Sequence, residues 1–323
     1  MNQIAVDFGG TNVKIGYVRE GRIVAFGSIP AHSALGLLPR MKEVERVIRE
    51  LGRNGSIPLE ACGGIGIALP GVVDTKARKL LAIHEKYADA YGFPFEEWAA
   101  EAFSLPLVME NDARAALIGE TSWGSARGER DAVLVIFGTG IGTAAMIDGK
   151  VLRGKHGQAG ILGGHFSVAS RGPVCNCGNT GCVEELASHR TLLVRAREEE
   201  GFSSSPLAAL PDWGYAELIR SWREGDPFAK KFVERLTEYW SAGIVNLIHA
   251  YDPETVIVSG GLMKSADVLL PLLRDAVMDK VWKAWGSVRF TVAADPESSV
   301  LLGLARLSED AVTNRGMKED ERI

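Results

Sequence analysis

Short apolar runs that stop at glycine recur along this chain and mark its strands. Ile4 to Phe8 stops at Gly9-Gly10-Thr11, and Gly64 to Leu69 ends in Pro70-Gly71. Ala132 to Phe137 runs into Gly138-Thr139-Gly140-Ile141-Gly142-Thr143, and Thr255 to Val258 opens into Ser259-Gly260-Gly261. Such runs, bounded by turn residues, predict buried strands. Alternating segments from Val13 to Val18 and from Ala144 to Ile147 follow the first and third runs, and each leads to a further turn, Glu20-Gly21-Arg22 or Asp148-Gly149. The order strand, glycine turn, returning strand and hairpin is therefore predicted twice.

Helical spacing takes over between these runs. Leu37, Met41, Val44, Ile48 and Leu51 share one face and predict a helix ending near Gly52. Phe232, Leu236, Trp240, Ile244, Leu247 and Ile248 predict a longer one over Phe228 to Ala250, stopped by Asp252-Pro253. Helices are also expected after Asp112 (ARAALIGE), from Glu184 towards Arg197, over Ala266 to Val281 and over Ser299 to Leu307. Leu107 to Met109 and Val288 to Ala293 read as short strands. Residues 75–100 read as irregular, their Tyr87, Tyr91, Phe93, Phe95 and Trp98 either walling a pocket or packing a long loop. Trp282 and Trp285 read as core or interface anchors without chemistry.

A chain of 323 residues is too long for one ordinary core, so two domains are expected. Apolar residues at 46% against 24% charged indicate a globular chain, with disorder expected only in the tail TNRGMKEDERI. A formal charge of -5, with no run of Lys or Arg, argues against a nucleic-acid groove and for a small partner. MNQIAVDFGGT enters a strand at once, leaving no room for a signal peptide, and no apolar run approaches the ~20 residues of a membrane span. A cytoplasmic protein is expected, in which clustered cysteines favour metal over disulfides. Cys62 stands alone and reads as a small buried apolar residue.

The clustered cysteines lie in HFSVASRGPVCNCGNTGCVE, from His165 to Glu184. This loop cannot bury enough apolar surface to hold itself, and His165, Cys175, Cys177 and Cys182 suit tetrahedral zinc. The glycine turns leave backbone N–H groups exposed to a phosphate, Thr11 adds a hydroxyl, and Asp7 at a strand end suits a magnesium ion or its water shell. Either turn alone could be an ordinary hairpin; two together imply a duplicated architecture holding a nucleotide between the halves. In Glu110-Asn111-Asp112, Asn111 or Asp112 caps the following helix, or Asp112 projects from the strand end as a general base. Gly71 lies at another strand end, where open α/β sheets place ligands.

DFGGTNVK, ALPGVVD, END, FGTGIGTA, GHFSV with CNCGNTGCVE, and VIVSGG together resemble the ROK family (repressors, open reading frames and kinases) of actin-like ATPases, in that family's order and over nearly the whole chain. The resemblance implies an α/β fold of two actin-like, ribonuclease H-like domains with a nucleotide and sugar cleft between them. It implies an N-terminal domain of residues 1–112 completed by a C-terminal helix near 298–315, and a larger domain of residues 113–297 carrying the zinc loop 165–184. Asp7, Gly9, Gly10, Thr11 and Lys14, with Gly138, Thr139, Gly140, Gly142 and Thr143, would then handle the phosphates of ATP, and Gly260 and Gly261 would lie near adenosine. Asn111 matches a sugar contact and Asp112 the catalytic base. His165 matches a zinc ligand that also touches sugar, and Glu184 a carboxylate that binds sugar hydroxyls, although an acid there also suits a helix N-terminus.

The implied activity is ATP-dependent phosphorylation of a hexose, at the 6-hydroxyl of glucose or a related aldohexose, with Mg2+ and one structural zinc, in a homodimer that engages neither nucleic acid nor membrane. Family sugar kinases often carry Glu three residues before the zinc histidine. Here the segment is GQAGILGGH and that position is Leu162, so Gln158 substitutes for the carboxylate, the substrate lacks or masks that hydroxyl, or the backbone is shifted. Alternatives are a kinase for a modified hexose such as an N-acetylhexosamine, polyphosphate as donor, or a regulatory sugar-binding protein with weak or no kinase activity. A repressor of this family would carry a DNA-binding domain before its DxGGT strand, and only six residues precede Asp7.

Overall fold

The computed structural model describes residues 1–320 apart from 84, 85 and 285, with side chains described up to residue 313. The chain divides into two compact units, one of residues 1–128, 153–158 and 294–323, the other of residues 129–152 and 159–293.

In the first unit the apolar runs become β1 (Asn2–Phe8), β2 (Asn12–Arg19), β3 (Arg22–Pro30), β4 (Cys62–Leu69), a hairpin of β5 (Val72–Asp74) and β6 (Lys79–Ala82), and β7 (Leu107–Asn111). Their sheet has the order β3-β2-β1-β4-β7, with the first three strands antiparallel and β4 and β7 parallel to β1. Helix α1 (Leu38–Asn54) buries Met41, Val44, Val47 and Ile48, the stripe that its spacing predicts. Residues 75–100 are more regular than expected. They contain β6 and the start of α2 (Phe95–Phe103), which buries Phe95, Trp98, Ala99 and Phe103 and exposes Glu96, Glu97 and Glu101. That helical spacing was legible, but Gly92, Phe93 and Pro94 just before it read as loop.

Helix α3 (Asp112–Ser122) follows β7 directly. The second unit repeats the plan with β8 (Ala132–Phe137), β9 (Ile141–Ile147), β10 (Lys150–Val151), β11 (Thr255–Ser259) and β12 (Arg289–Val292), in the order β10-β9-β8-β11-β12 with the same antiparallel and parallel senses. The predicted duplication is therefore topological. Between β10 and β11 lie α4 (Val183–Ala187), α5 (Leu192–Glu198), α6 (Tyr215–Arg223) and α7 (Pro227–Tyr251), and α8 (Ala266–Met278) follows β11. The helix expected from Glu184 is thus two short ones, broken at Ser188, where the backbone is extended. Trp282 is 72% exposed and belongs to no core, whereas Trp285 lies outside the described residues.

Helix α9 (Ser299–Asp320) returns to the first unit and continues through most of the tail expected to be disordered. Its contact with α3 needs glycine: a Cβ on Gly303 would fall 1.7 Å from the Ala115 carbonyl oxygen, and one on Gly119 2.0 Å from that of Ser299. The domain boundary expected at 112 falls at the first residue of α3, and the compact unit runs on to Gly128. Among the described residues no helix is long and apolar enough to cross a membrane.

Candidate functional site

In the first unit β1, β4 and β7 run parallel with Asp7, Ala68 and Glu110 in register, so the loops after all three strands leave one edge of the sheet. Asp7, Gly71, Asn111 and Asp112 come together there, at the carboxyl ends where such sheets place ligands. The two sequence readings of Asn111-Asp112 divide between the residues. Asn111 is the cap, its Oδ1 accepting the Arg114 amide at 3.1 Å. Its Nδ2 donates to the Gly71 carbonyl at 3.0 Å and to Asp112 Oδ1 at 2.9 Å, and Asp112 Oδ1 also accepts the Ala113 amide at 2.8 Å.

Two carboxyls at this sheet edge are hard to ionise. Asp7 is 7% exposed, and among the described residues its Oδ1 is buried without a hydrogen-bond partner. Loss of water pushes its pKa up to about 7, the neighbouring Asp112 adds to the rise, and Lys14 opposes it. Desolvation also raises Asp112, opposed by the Ala113 amide and by Lys86. A buried acid with an orphaned oxygen is suited to meet a cation, the role the sequence suggested for Asp7.

The Gly9-Gly10 turn is held by residues remote from it in the chain. The Tyr87 hydroxyl donates to the Gly9 carbonyl at 2.7 Å, and Ser33 Oγ to that of Gly10 at 3.1 Å. A Cβ on Gly10 would lie 2.8 Å from Lys86 Nζ. Tyr87 is fully buried at φ 47°, a left-handed conformation that costs a bulky residue about 1–3 kcal/mol. The aromatics of residues 75–100 mostly pack: Tyr87, Phe95 and Trp98 enter the core, and Tyr87 also reaches the turn. Thr11 is exposed, and Lys14, cross-strand partner of Asp7, donates from Nζ to the Glu297 carbonyl at 3.4 Å. Gln158 is exposed in the segment 153–158 that packs with this unit.

In the second unit the loops after β8 and β11 leave the sheet together, because Ser259 pairs with Ile136. Gly260 has φ 96°, and a Cβ there would lie 2.2 Å from the Phe137 carbonyl oxygen, so only glycine fits this crossing. A cavity of about 660 Å³ opens beside it, lined by Gly138, Thr139, Trp213, Tyr215, Gly261 and Leu262 among others. Thr143 does not face such a space. It is 1% exposed, and its hydroxyl donates to the Gly160 carbonyl at 2.7 Å and accepts the Gly163 amide at 2.9 Å. A larger groove of about 1010 Å³, lined by His249, Tyr251 and Trp282 among others, contains none of the predicted site residues.

The cysteine loop folds into a ligand cluster. One ligand atom each from His165, Cys175, Cys177 and Cys182 lies within 4.8 Å of the others. Cys175 Sγ is 3.6 Å from His165 Nδ1, and Cys177 Sγ is 3.6 Å from Cys182 Sγ. Ligands at roughly 2.0–2.3 Å from a tetrahedral zinc stand roughly 3.5–3.8 Å apart, so the donor set fits that ion in kind, and these two pairs fit it in spacing. Short-range bonds shape the loop: the Cys175 amide to the Asn179 carbonyl at 2.7 Å, and a bridge between Ser167 and Cys182. Cys182 is the residue before α4, which places Glu184 in that helix's first turn. Glu184 Oε2 accepts the Ile141 amide at 2.9 Å, beside Gly140.

The ROK family profile matches residues 3–311. A glucokinase of Thermotoga maritima is 29% identical over 317 residues, 96% of this chain and 98% of that protein. A ROK family glucokinase of Streptomyces griseus, solved with glucose and AMPPNP, superposes with a TM-score of 0.76 at 27% identity, covering 96% of this chain and all of the other (100%). A xylose repressor of Caldicellulosiruptor bescii is 27% identical over 246 residues, 74% of this chain and 61% of the repressor. With two units of one topology, the fold is that of two actin-like domains. The chain belongs to the ROK family.

Proposed function

We propose that this protein is an ATP-dependent sugar kinase that moves the γ-phosphoryl group of ATP, bound with Mg2+, to a hexose hydroxyl, the 6-hydroxyl of glucose or a related aldohexose. The observation that carries this reading is the Asp112 carboxylate, fixed by Asn111 and the Ala113 amide at the same sheet edge as Asp7. An alcohol is too weak an acid to ionise near neutral pH, so its proton must pass to a base as the phosphoryl group arrives. Burial raises the Asp112 pKa, which makes its carboxylate a stronger base for that proton. Asp7, with its unsatisfied buried oxygen, is suited to the magnesium or its water shell. Magnesium supplies charge neutralisation at the transferring phosphoryl group.

Each unit then has its own part. In the first, the amides of Gly9, Gly10 and Thr11 take phosphate oxygens, Lys14 offsets charge, and Gly71, Asn111 and Gln158 contact sugar. In the second, Gly138, Thr139 and Gly140 take phosphate, the cavity at Gly260 and Gly261 takes adenosine, and Thr143 and Gly142 shape that loop. His165, Cys175, Cys177 and Cys182 hold one zinc ion, which orients His165 and Glu184 toward sugar hydroxyls. The glucokinase names of the Thermotoga and Streptomyces relatives support the substrate class.

A coupled assay of ADP release across hexoses, deoxyhexoses and N-acetylhexosamines, repeated with polyphosphate as donor, tests this reading. Sugar-stimulated release is expected with glucose or a close aldohexose. Leu162, 39% exposed where the family's carboxylate would stand, favours a second reading, a sugar-binding regulator. Saturable sugar binding in calorimetry with no turnover for any donor would establish it in place of the kinase.

A further inference from the structure

Glu110 is fully buried in the strand that delivers Asn111 and Asp112, and Arg114, in the first turn of α3, is fully buried beside it. Ionised groups with no exposure are costly unless every lone pair and proton is met. Here they are met by a network. Glu110 Oε1 accepts the Asn111 amide at 3.0 Å and Arg114 Nη1 at 3.4 Å. Its Oε2 accepts Arg153 Nε at 2.9 Å and Nη2 at 2.5 Å. Arg114 Nη2 donates to the Gly157 carbonyl at 2.8 Å. Both arginines thus bind the short segment 153–158, remote in sequence, against the turn that carries Asp112.

Two buried charges and a half-buried third are a poor source of stability, since apolar side chains of similar volume commonly do as well or better. What guanidinium–carboxylate pairs supply instead is direction. Contacts run from Arg153 to Glu110, from Glu110 to the Asn111 amide, and from Asn111 Nδ2 to Asp112 Oδ1. We propose that Arg114 and Arg153, locked on Glu110, are positioning residues that set the orientation of the Asp112 carboxylate and the place of Gln158, the residue that follows Gly157. The inference rests on Asp112 being the base of the proposed kinase reaction.

Arg153→Met is the test, because this side chain is 35% exposed and its loss leaves the Glu110–Arg114 pair in place. Arg153→Lys keeps the charge and loses the fork. A misplacement on the order of 1 Å costs about 100-fold in rate. Arg153→Met is therefore expected to lower kcat by roughly that factor and to raise KM for sugar, with KM for ATP and Tm near wild type, and Arg153→Lys to fall between. Hydrogen exchange at the amides of Asn111, Ala113 and Arg114 is expected to quicken in Arg153→Met and not elsewhere in the sheet. An unchanged kcat, or a kcat loss that only follows loss of folded protein, would overturn the proposal, as would unchanged exchange at those amides. Should the wild type show no turnover with any sugar, the kinase reading fails by itself, and the exchange result still decides whether the network holds the turn.

Discussion

Glu184 at the end of the cysteine-rich stretch is hydrogen-bonded to the backbone of Ile141, 43 residues earlier, at the first position of β9. The carboxylate so ties the cysteine-rich loop to the glycine turn after β8. A hydrogen bond to a charged group contributes about 1.5–3 kcal/mol, and Glu184 is only 13% exposed. Glu184→Ala is expected to destabilise the protein by about 1–3 kcal/mol in urea titration. Glu184→Gln, whose amide oxygen still accepts from Ile141, should lose less stability while losing sugar affinity. Equal stability losses in the two variants would assign the effect to charge and not to this bond.

Asp112→Asn keeps an oxygen for the Ala113 amide and so should fold with a wild-type melting curve. It cannot accept the proton of a sugar hydroxyl. A fall in kcat of about 100- to 10,000-fold is expected in the ADP-release assay. Near-normal kcat would remove Asp112 from the role of base.

The buried carboxyl of Asp7 makes stability depend on pH with a definite sign. Its folded pKa of about 7 lies above the ordinary aspartate value of 3.8, so between these limits the unfolded chain has lost a proton that the folded chain retains. Stability from this group is full below pH 3.8, falls as pH rises toward 7, and is absent above. Asp7→Asn should therefore be more stable than wild type at pH 8 without Mg2+, by up to about 4 kcal/mol at 1.36 kcal/mol per pKa unit, and the gain should vanish near pH 4. Urea titrations at the two pH values measure it, and the variant should also need more Mg2+ for turnover.

Elemental analysis is expected to find one zinc per chain, and Cys177→Ser should lower its retention. Structural zinc commonly supplies on the order of 10 kcal/mol to a small site, so stripping it with a chelator should disorder the loop from His165 to Glu184. Sugar KM should rise before global unfolding is detected. A metal-free protein with unchanged KM and Tm would show that the four ligands do not hold a structural ion.

Most of the secondary structure could be read because it is encoded locally. The apolar runs that end at Phe8, Leu69 and Phe137 carry their own stop signals, and the stripe of α1 follows from residue spacing. The cysteine loop was legible for the same reason, its ligands lying close together in the chain. The exceptions were also local: α2 starts beside a glycine and a proline, and the helix expected from Glu184 is interrupted at Ser188.

The sequence by itself thus determined the α/β character, the duplicated strand–turn–strand plan, the donor set for a metal and the residue types of the candidate chemistry. Only the tertiary structure decided which strand ends share a sheet edge, and with that the meeting of Asp7, Gly71 and Asn111-Asp112. It also decided that Asn111 and not Asp112 is the cap, that Thr143 spends its hydroxyl on the turn at Gly160, and that Tyr87 holds Gly9 from 78 residues away. The physical reason is range. Turn chemistry and apolar periodicity act over a few residues, whereas desolvation of Asp7 and the choice of partner for Arg153 depend on packing between segments far apart in the chain.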